Sequence, residues 1–511
     1  MFARLLSGAV LGIDARLIEV QCDVSGGLPL FHMVGLPEKE VSESRERIRS
    51  AIKNSGLTFP AGRITANLAP ADLRKEGVGF DVPIAAAILI ASSQVAPPAA
   101  RYLLVGELAL NGDIRGVRGV LPIAIAASGH VDGMIVPREN AVEAVLATDS
   151  PVYPVTTLRD LTAFFNAETE IEPLHVDREK LLQCEPPPVD HDLAEVRGQT
   201  QAKRALEVAA AGGHNLLMVG PPGAGKSLLA RCFPDLLPPL TLEEALEVTK
   251  IYSSAGLLEE SASLVRRRPF RAPHQTISYA GMVGGGHGVP GPGEISLAHH
   301  GVLFLDELPE FDRRVLETLR QPLEDRTILL SRAGVSVRYP ASFALVAAMN
   351  PCPCGYLGDS MQPCRCTLHD VRRYRRRLSG PFLDRIDLFV EVPRLSPDEL
   401  LTARGGTESA QVRARVTEAR RSQWERLRGE AGCFCNAQLD GDQLDVYCEL
   451  ESGARSLLKR AVTRFGLSAR AHVRIVRVAR TIADLEGTEK LSAEHIAEAV
   501  QYRTAGESIG E

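Results

Sequence analysis

Gly220-Pro221-Pro222-Gly223-Ala224-Gly225-Lys226-Ser227 is a complete phosphate-loop sequence of the G-x-x-x-x-G-K-[ST] type, and it decides the fold of the surrounding region. It follows an apolar run at 215–219 that is typical of a buried strand and leads into a run at 228–231 that is typical of a helix. The glycines allow backbone N–H groups to close around phosphate oxygens, while Lys226 can reach the β- and γ-phosphates and Ser227 can ligate Mg²⁺. We predict that these eight residues bind ATP together with Mg²⁺.

Two further apolar runs end in the polar side chains that ATP hydrolysis requires. The run at 301–305 ends in Asp306 and Glu307, roughly 80 residues after the phosphate loop. Asp306 is predicted to hold Mg²⁺, and Glu307 to polarise the water that attacks the γ-phosphate. The run at 343–349 ends in Asn350, whose amide can orient that water. These strand ends therefore predict an ATPase.

Composition excludes several classes of protein. The 511 residues are enough for about three domains, and no window approaches the roughly 18 apolar residues of a membrane span. The ten cysteines do not form a secreted disulfide pattern, and the N-terminus lacks a cleavable signal. The net charge of −6 excludes a uniformly basic nucleic-acid binder but leaves room for local positive stripes. We predict a cytoplasmic protein without a membrane partner.

Shifts in the sequence pattern divide the chain into three domains and a linker. Residues 1–166 mix short apolar runs with one periodic, charged helix, as in a compact α+β domain. The linker at 167–194 is acidic and contains three consecutive prolines, which a helix interior or a central strand does not accommodate. Residues 195–393 alternate helix and strand signals, as in a parallel sheet covered by helices, and 394–511 have an almost entirely helical pattern. We predict a multidomain α/β protein whose parallel-sheet core carries a C-terminal helical lid.

Three segments of the central domain are similar to signatures of one ATPase family. They are RPFRAPH at 268–274, PGEISLAHH at 292–300 and NPCPCG at 350–355. Together with the phosphate loop, they resemble the magnesium-chelatase-like branch of the AAA+ ATPases. One departure is Gln275, because the family usually has a second histidine directly after His274.

The resemblance implies a homo-hexameric ring in which a neighbouring subunit completes each nucleotide site. Asn350 would act as sensor 1, and Arg470 in the lid would carry sensor 2. Arg385 would be the arginine finger, although from the residues alone a local salt bridge explains an arginine flanked by carboxylates equally well. The adenine side of the pocket would be lined by Val196, Gly198 and Gln199.

Segments of the first domain narrow the resemblance to the ComM/YifB group. MVGLP at 33–37, NLAPADL at 67–73 and FDVPIA at 80–85 are similar to that group. The resemblance implies a first domain with the fold of the Lon protease domain. The nucleophile region has Gly79-Phe80-Asp81-Val82, and the expected lysine position falls near Ile123. Without a Ser–Lys pair there is no route to an activated nucleophile of that kind, so we predict that this domain is not proteolytic.

Two C-x-C pairs lie close together in the sequence. Cys352, Cys354, Cys364 and Cys366 can give four thiolates to a tetrahedral Zn²⁺, although C-x-C is tighter than the usual C-x₂₋₄-C spacing. Four reduced thiols in an exposed loop are the alternative. Cys433-x-Cys435 has no evident partner pair and stays unassigned.

The resemblance also implies ATP-driven movement on DNA that promotes branch migration or unwinding in homologous recombination, notably in natural transformation. Single-stranded or branched DNA would be the partner. A hairpin at 326–340 and a glycine-rich loop at 284–288 could reach it, with Arg332, Arg338 and His287 as candidate contacts. A solvated hairpin explains the arginines almost equally well. The basic run Arg372–Arg377 is a local positive stripe and could equally pack against carboxylates of a neighbouring subunit.

The alternative function is an ATP-driven subunit that remodels another protein, of the kind that drives metal insertion into a porphyrin. That function would require large partner subunits. The first domain argues against it, because dedicated chelatase motor subunits lack such a domain, and the sequence shows no obvious porphyrin pocket.

Overall fold

The computed structural model describes residues 1–35, 39–73, 75, 79–177, 191–258, 264–286, 290–332, 335–396, 408–430 and 433–510. Several sequence predictions therefore lie wholly or partly outside the described residues. Among them are His287 and the end of its glycine-rich loop, the side chain of Arg332, residues 36–37 of the MVGLP segment, the part of the predicted linker at 178–190, and residues 397–407 and 431–432 of the predicted helical lid.

The first domain is built on a mixed seven-stranded sheet. Its strands are β1 (Phe2–Leu11), β2 (Asp14–Ser25), β3 (Leu30–Val34), β4 (Arg63–Ala69), β5 (Tyr102–Leu104), β6 (Glu107–Leu108), β7 (Ile114–Arg115), β8 (Gly133–Pro137) and β9 (Val152–Val155). Its helices are α1 (Lys39–Asn54), α2 (Asp81–Ala91), α3 (Val120–Ala127), α4 (Ala141–Ala147) and α5 (Leu158–Phe165). The sheet order is β3-β4-β2-β1-β5-β8-β9, and β6 pairs with β7 separately. Helix α2 is apolar on all sides and is correspondingly buried against this sheet.

The central domain is a five-stranded sheet in which every neighbouring pair is parallel. Its strands and hairpins are β10 (Leu216–Val219), β11 (Phe270–Arg271), β12 (Gly284–Gly285), β13 (Gly291–Pro292), β14 (Val302–Leu305), β15 (Thr327–Arg332), β16 (Val335–Pro340), β17 (Ala344–Met349) and β18 (Leu388–Glu391). The helices are α6 (Thr200–Gly212), α7 (Lys226–Cys232), α8 (Leu242–Ala255), α9 (Tyr279–Val283), α10 (Glu294–Leu297), α11 (Arg313–Thr318), α12 (Pro322–Asp325), α13 (Leu368–Arg375) and α14 (Gly380–Leu383).

The order of this sheet, β11-β14-β17-β10-β18, positions the site. Strands β10, β14 and β17 are short, mostly buried apolar runs, as expected of a parallel sheet between two layers of helices. Because parallel strands end at the same edge, the loops that follow β10, β14 and β17 meet there. The predicted parallel-sheet core is confirmed.

The C-terminal region consists of helices, as predicted. They are α15 (Ser409–Leu427), α16 (Gly441–Tyr447), α17 (Ser452–Phe465), α18 (Ala469–Leu485) and α19 (Ala493–Gly510). Helices α15 and α18 pack on α6, so the C-terminal helices share a core with the central domain. Among the helices that the structure describes, none combines the length and apolarity needed to cross a membrane.

The hairpin β15–β16 of the central domain packs against the first domain. Its two strands pair antiparallel, as the sequence predicted. One face of the hairpin belongs to a buried apolar cluster that contains Ile13, Ile251, Leu297, Val337 and Tyr339. Gly12 has φ +70°, and a Cβ there would lie 2.1 Å from Cγ1 of Val337, so only glycine fits this contact. A Lys250–Asp14 ion pair of 2.6 Å lies between the same two domains.

Candidate functional site

The predicted phosphate loop lies between β10 and α7, at the carboxyl edge of the parallel sheet. Gly223 and Gly225 have φ of 79° and 91°, a conformation that other residues adopt only with strain. A Cβ at Gly220 would lie 2.1 Å from the carbonyl oxygen of Val392 at the end of β18. The glycines of the motif therefore let the loop turn tightly and approach the neighbouring strand closely.

The amine of Lys226 is held inside this loop. It donates to the carbonyl oxygens of Gly220 at 2.7 Å and Pro221 at 2.9 Å, and to Oδ1 of Asn350 at 3.2 Å. Burial lowers the pKa of Lys226, and the nearby Asp306 and Glu307 oppose that shift. The structure thus brings the predicted lysine and the predicted sensor asparagine into direct contact.

The hydroxyl of Ser227 donates to Oδ2 of Asp306 at 2.6 Å. A hydroxyl next to a carboxylate oxygen is the donor set that Mg²⁺ takes in phosphate-loop proteins, so the two residues fit the predicted metal. Glu307 follows at once, with its backbone N–H on Oδ1 of Asp306 at 2.9 Å. Glu307 is exposed and has φ +51°, a conformation that costs a non-glycine residue about 1–3 kcal/mol and recurs at functional sites.

Gln199 connects this loop to the adjoining strand end. Its amide Nε2 donates to the carbonyl oxygens of Ala224 at 3.2 Å and Pro393 at 2.6 Å. Val196 is buried nearby in the core, and Gly198 has φ +55°. The position of Gln199 against the phosphate loop agrees with a nucleotide pocket here, and the adenine contacts of these three residues stay a prediction.

The two predicted arginines lie elsewhere, around one cavity of about 930 Å³. Arg385 is buried there, pairs with Glu324 at 2.7 Å and donates to the carbonyl oxygens of Pro381 at 2.6 Å and Arg320 at 3.0 Å. Arg470 lines the same cavity. Among the described residues that line it, none belongs to the phosphate loop. Within one chain, the structure therefore brings the two arginines to one cavity and not to the nucleotide loop of their own subunit.

The three family-signature segments contact one another or the nucleotide loop. Arg271 from the first segment forms a bidentate pair with Glu294 from the second, at 2.6 and 2.7 Å. His299 and His300 both contact Oε2 of Glu247, at 3.0 and 2.8 Å, and these hydrogen bonds hold the pKa of Glu247 well below its usual range. These pairings were not predicted from the sequence. The opposite charges of Arg271 and Glu294 were the one sequence feature that could have indicated a pairing.

The two C-x-C pairs meet in one cluster. The Sγ atoms of Cys352, Cys354 and Cys364 are 3.4 to 3.6 Å apart, and the four sulfurs lie within 4.8 Å of one another. A tetrahedral site with Zn–S bonds of about 2.3 Å places its sulfurs about 3.8 Å apart, so the cluster fits zinc. Hydrogen bonds from the backbone amides of Arg365 and Tyr356 lower the pKa of Cys354 to about 6. The pKa values of Cys364 and Cys366 are raised instead, so the support for a metal is the spacing of the four sulfurs.

This cysteine cluster adjoins the phosphate loop. Gly355 has φ +87°, and a Cβ there would lie 2.6 Å from Cδ of Pro222. Arg394 donates to the carbonyl oxygen of Pro222 at 3.3 Å and approaches Asp359 of the cysteine loop at 3.7 Å. The sequence did not indicate this proximity. A movement of Gly355 toward Pro222 would therefore press on the nucleotide loop.

The candidate DNA contacts are not gathered into one described surface. Arg338 is exposed on β16, opposite Leu329, and the backbone of Arg332 pairs with Val335 at the end of the hairpin. The side chain of Arg332 and the whole of His287 lie outside the described residues. Their role stays a prediction.

Comparisons with known proteins cover nearly the whole chain. Family models described as magnesium chelatase subunit ChlI match residues 20–140 and 192–400, and a model of the ChlI C-terminal part matches 406–503. Competence protein ComM of Haemophilus influenzae is 45% identical over 98% of this chain and 97% of its own length. Protein YifB of Escherichia coli is 47% identical over 97% of this chain and 96% of its own length. The magnesium-chelatase 67 kDa subunit of Heliobacterium mobile is 28% identical over only 31% of this chain and 28% of its own length.

Proposed function

Because this chain belongs to the ComM and YifB branch of the magnesium-chelatase family, we propose that it is an ATP-driven ring motor that acts on DNA. The relative from Haemophilus influenzae is named a competence protein and matches over almost its entire length. We accordingly propose that the motor promotes branch migration or unwinding of single-stranded or branched DNA in homologous recombination, as in natural transformation. A cytoplasmic location belongs to the same proposal.

The observation that carries the ATPase part is the cluster of Lys226, Ser227, Asp306 and Asn350 within hydrogen-bonding distance at one sheet edge. Mg²⁺ supplies charge neutralisation at the β- and γ-phosphates when it is bound. Lys226 would exchange its two carbonyl partners for phosphate oxygens, while Ser227 and Asp306 hold the metal. Glu307, exposed and next to Asp306, would take a proton from the attacking water, and Asn350 would orient that water.

The positions of Arg385 and Arg470 support an assembly in which each subunit completes its neighbour's nucleotide site, and we propose that this assembly is a homo-hexamer. Because both line a cavity away from the phosphate loop of their own chain, each would serve a nucleotide bound to the neighbouring subunit. Arg385 is already desolvated and paired with Glu324, so a phosphate would replace a carboxylate that it now contacts. A guanidinium placed in this way stabilises the negative charge of the transferring phosphoryl group.

We also propose that Cys352, Cys354, Cys364 and Cys366 hold one structural Zn²⁺. The spacing of the four sulfurs supports it. The metal would fix a loop that carries Asn350 at one end and packs on Pro222, so it would support the nucleotide site without touching the substrate.

The test is ATP turnover by the purified protein with and without single-stranded and forked DNA. The Glu307→Gln variant, prepared in parallel, measures any contaminating ATPase. Turnover that rises severalfold with DNA would support the motor and justify strand-displacement and branch-migration assays. Turnover that is the same with and without DNA would favour the alternative, a protein-remodelling ring, which the shorter match to a magnesium-chelatase subunit supports.

A further inference from the structure

A basic groove runs beside the candidate nucleotide site. It is formed by the segment 309–313 and by helix α13 with the two residues that follow it, and it encloses about 720 Å³. The titratable residues that line it are Arg313, His369, Arg372, Arg373, Arg376 and Arg377, against the single carboxylate of Glu310. The groove is therefore lined by five guanidinium groups and one carboxylate.

Only part of this charge is balanced by carboxylates of the described residues: Arg373 interacts electrostatically with Asp370, and Arg313 with Glu317. Arg377 pairs with Glu310 at 2.7 Å and donates to the carbonyl oxygen of Pro309 at 3.2 Å, which ties the two walls together. Arg372, Arg373 and Arg376 are exposed, and none of them forms an ion pair with a carboxylate of the described residues. The last turn of a helix favours cations, which accounts for part of the clustering. It does not account for Arg313, which is also exposed and comes from the opposite wall.

We propose that this groove binds the phosphate backbone of single-stranded DNA. Like charges at this density repel one another, and a chain of phosphates is a ligand that neutralises several of them at once. Arginine suits this task because its planar guanidinium makes two parallel hydrogen bonds to a phosphate. Backbone contacts of this kind do not depend on base sequence, as a motor requires. The inference rests on the proposed action on DNA and adds a site to it.

Both walls of the groove are connected to the candidate catalytic residues. The segment 309–313 follows Glu307 directly along the chain. Helix α13 begins at the Thr367 cap, immediately after Cys366, and its buried Tyr374 lies against the backbone of Asn350. A bound DNA strand that draws the two walls together would therefore move the segments next to Glu307 and Asn350. This is a physical route by which DNA can change ATP turnover.

The experiment compares two triple variants of the full-length protein. Arg372→Ala/Arg373→Ala/Arg376→Ala removes the exposed charge of α13. Binding of a fluorescein-labelled thymidine oligonucleotide is measured by anisotropy at several salt concentrations. If three phosphate contacts are lost, the slope of log K against log salt becomes shallower by about 2, since each contact to a single strand contributes about 0.7. We expect affinity at low salt to fall at least tenfold.

The matched control is Arg455→Ala/Lys459→Ala/Arg460→Ala, which removes three exposed charges from helix α17 of the lid. We expect it to keep the parental slope. Equal slopes for the α13 and α17 alanine variants would refute DNA binding in the groove but not the proposed DNA motor. A parental protein that binds no oligonucleotide would refute both proposals. Loss of self-association with an unchanged slope would identify the groove as a subunit contact and also overturn the inference. Replacement of the same three α13 arginines by lysine should preserve the slope, because the charge remains.

Discussion

Replacing Gly355 by alanine should weaken nucleotide binding although Gly355 lies outside the phosphate loop. Its φ of +87° is strained for alanine by about 1–2 kcal/mol, and the new Cβ would lie 2.6 Å from Cδ and 2.8 Å from Cγ of Pro222. Overpacking of this kind costs about 1–3 kcal/mol, and we expect the phosphate loop to yield because the proposed zinc site holds the cysteine loop in place. If the loop yields, the loss in affinity for ADP or ATP is about 5- to 150-fold. We expect roughly tenfold, measured by calorimetric titration.

Gly358→Ala separates the contact from the backbone strain. Gly358 lies in the same loop with φ +81°, but a Cβ there meets no described atom within 4 Å. Both variants therefore carry similar strain, and only Gly355→Ala presses on Pro222. Zinc content and melting temperature, measured for both, show whether the cysteine loop stays folded. Nucleotide affinities within twofold of each other, in two variants that both stay folded, would refute the mechanical link between the cysteine loop and the nucleotide loop.

Three further outcomes are expected. Lys226→Ala should lose the rise in melting temperature on adding ATP, which at 100 times Kd corresponds to about 2.7 kcal/mol, whereas Glu307→Gln should keep that rise while turnover falls about 100-fold or more. Parental turnover by the Glu307 variant would contradict its assignment. Cys364→Ser/Cys366→Ser should lower bound zinc, measured by mass spectrometry, from about one ion per chain to nearly none; a parental protein that itself lacks zinc would show the thiols to be free. Arg385→Ala should reduce turnover about 1,000-fold, and mixing it with Lys226→Ala should restore part of it, because some interfaces then combine an intact lysine with an intact arginine. No recovery on mixing would argue against a shared site.

The local features of this protein could be predicted from the sequence because each depends on a short segment. The phosphate loop, the carboxylates of Asp306 and Glu307, and Asn350 all follow apolar runs that are recognisable as buried strands. In a parallel sheet such strand ends share one edge, so their meeting was predictable as well. The hairpin β15–β16 and the C-terminal helices were predicted from pattern in the same way.

Contacts between distant segments that do not follow from the parallel sheet could not be predicted. Arg470 was assigned to a sensor position, but only the packing of the C-terminal helices shows that it shares a cavity with Arg385. The contact of Gly355 with Pro222 joins segments more than 100 residues apart. The basic groove likewise combines Arg313 with the arginines of α13, and the sequence identified only the second group. No periodicity or motif spacing carries information of this kind.

Removing the first domain from the central domain would expose a surface that is buried in the intact protein. Tyr339 is 0% exposed and Ile251 is 1% exposed, and both owe part of that burial to Ile13. Without this contact, Val337 and Tyr339 on the hairpin and Ile251 on helix α8 would form an exposed apolar patch, the kind of surface that leads to aggregation. An ATPase core expressed by itself is therefore expected to precipitate, and polar replacements at these positions are the rational way to keep it in solution. On this expectation the first domain also keeps the central domain in solution.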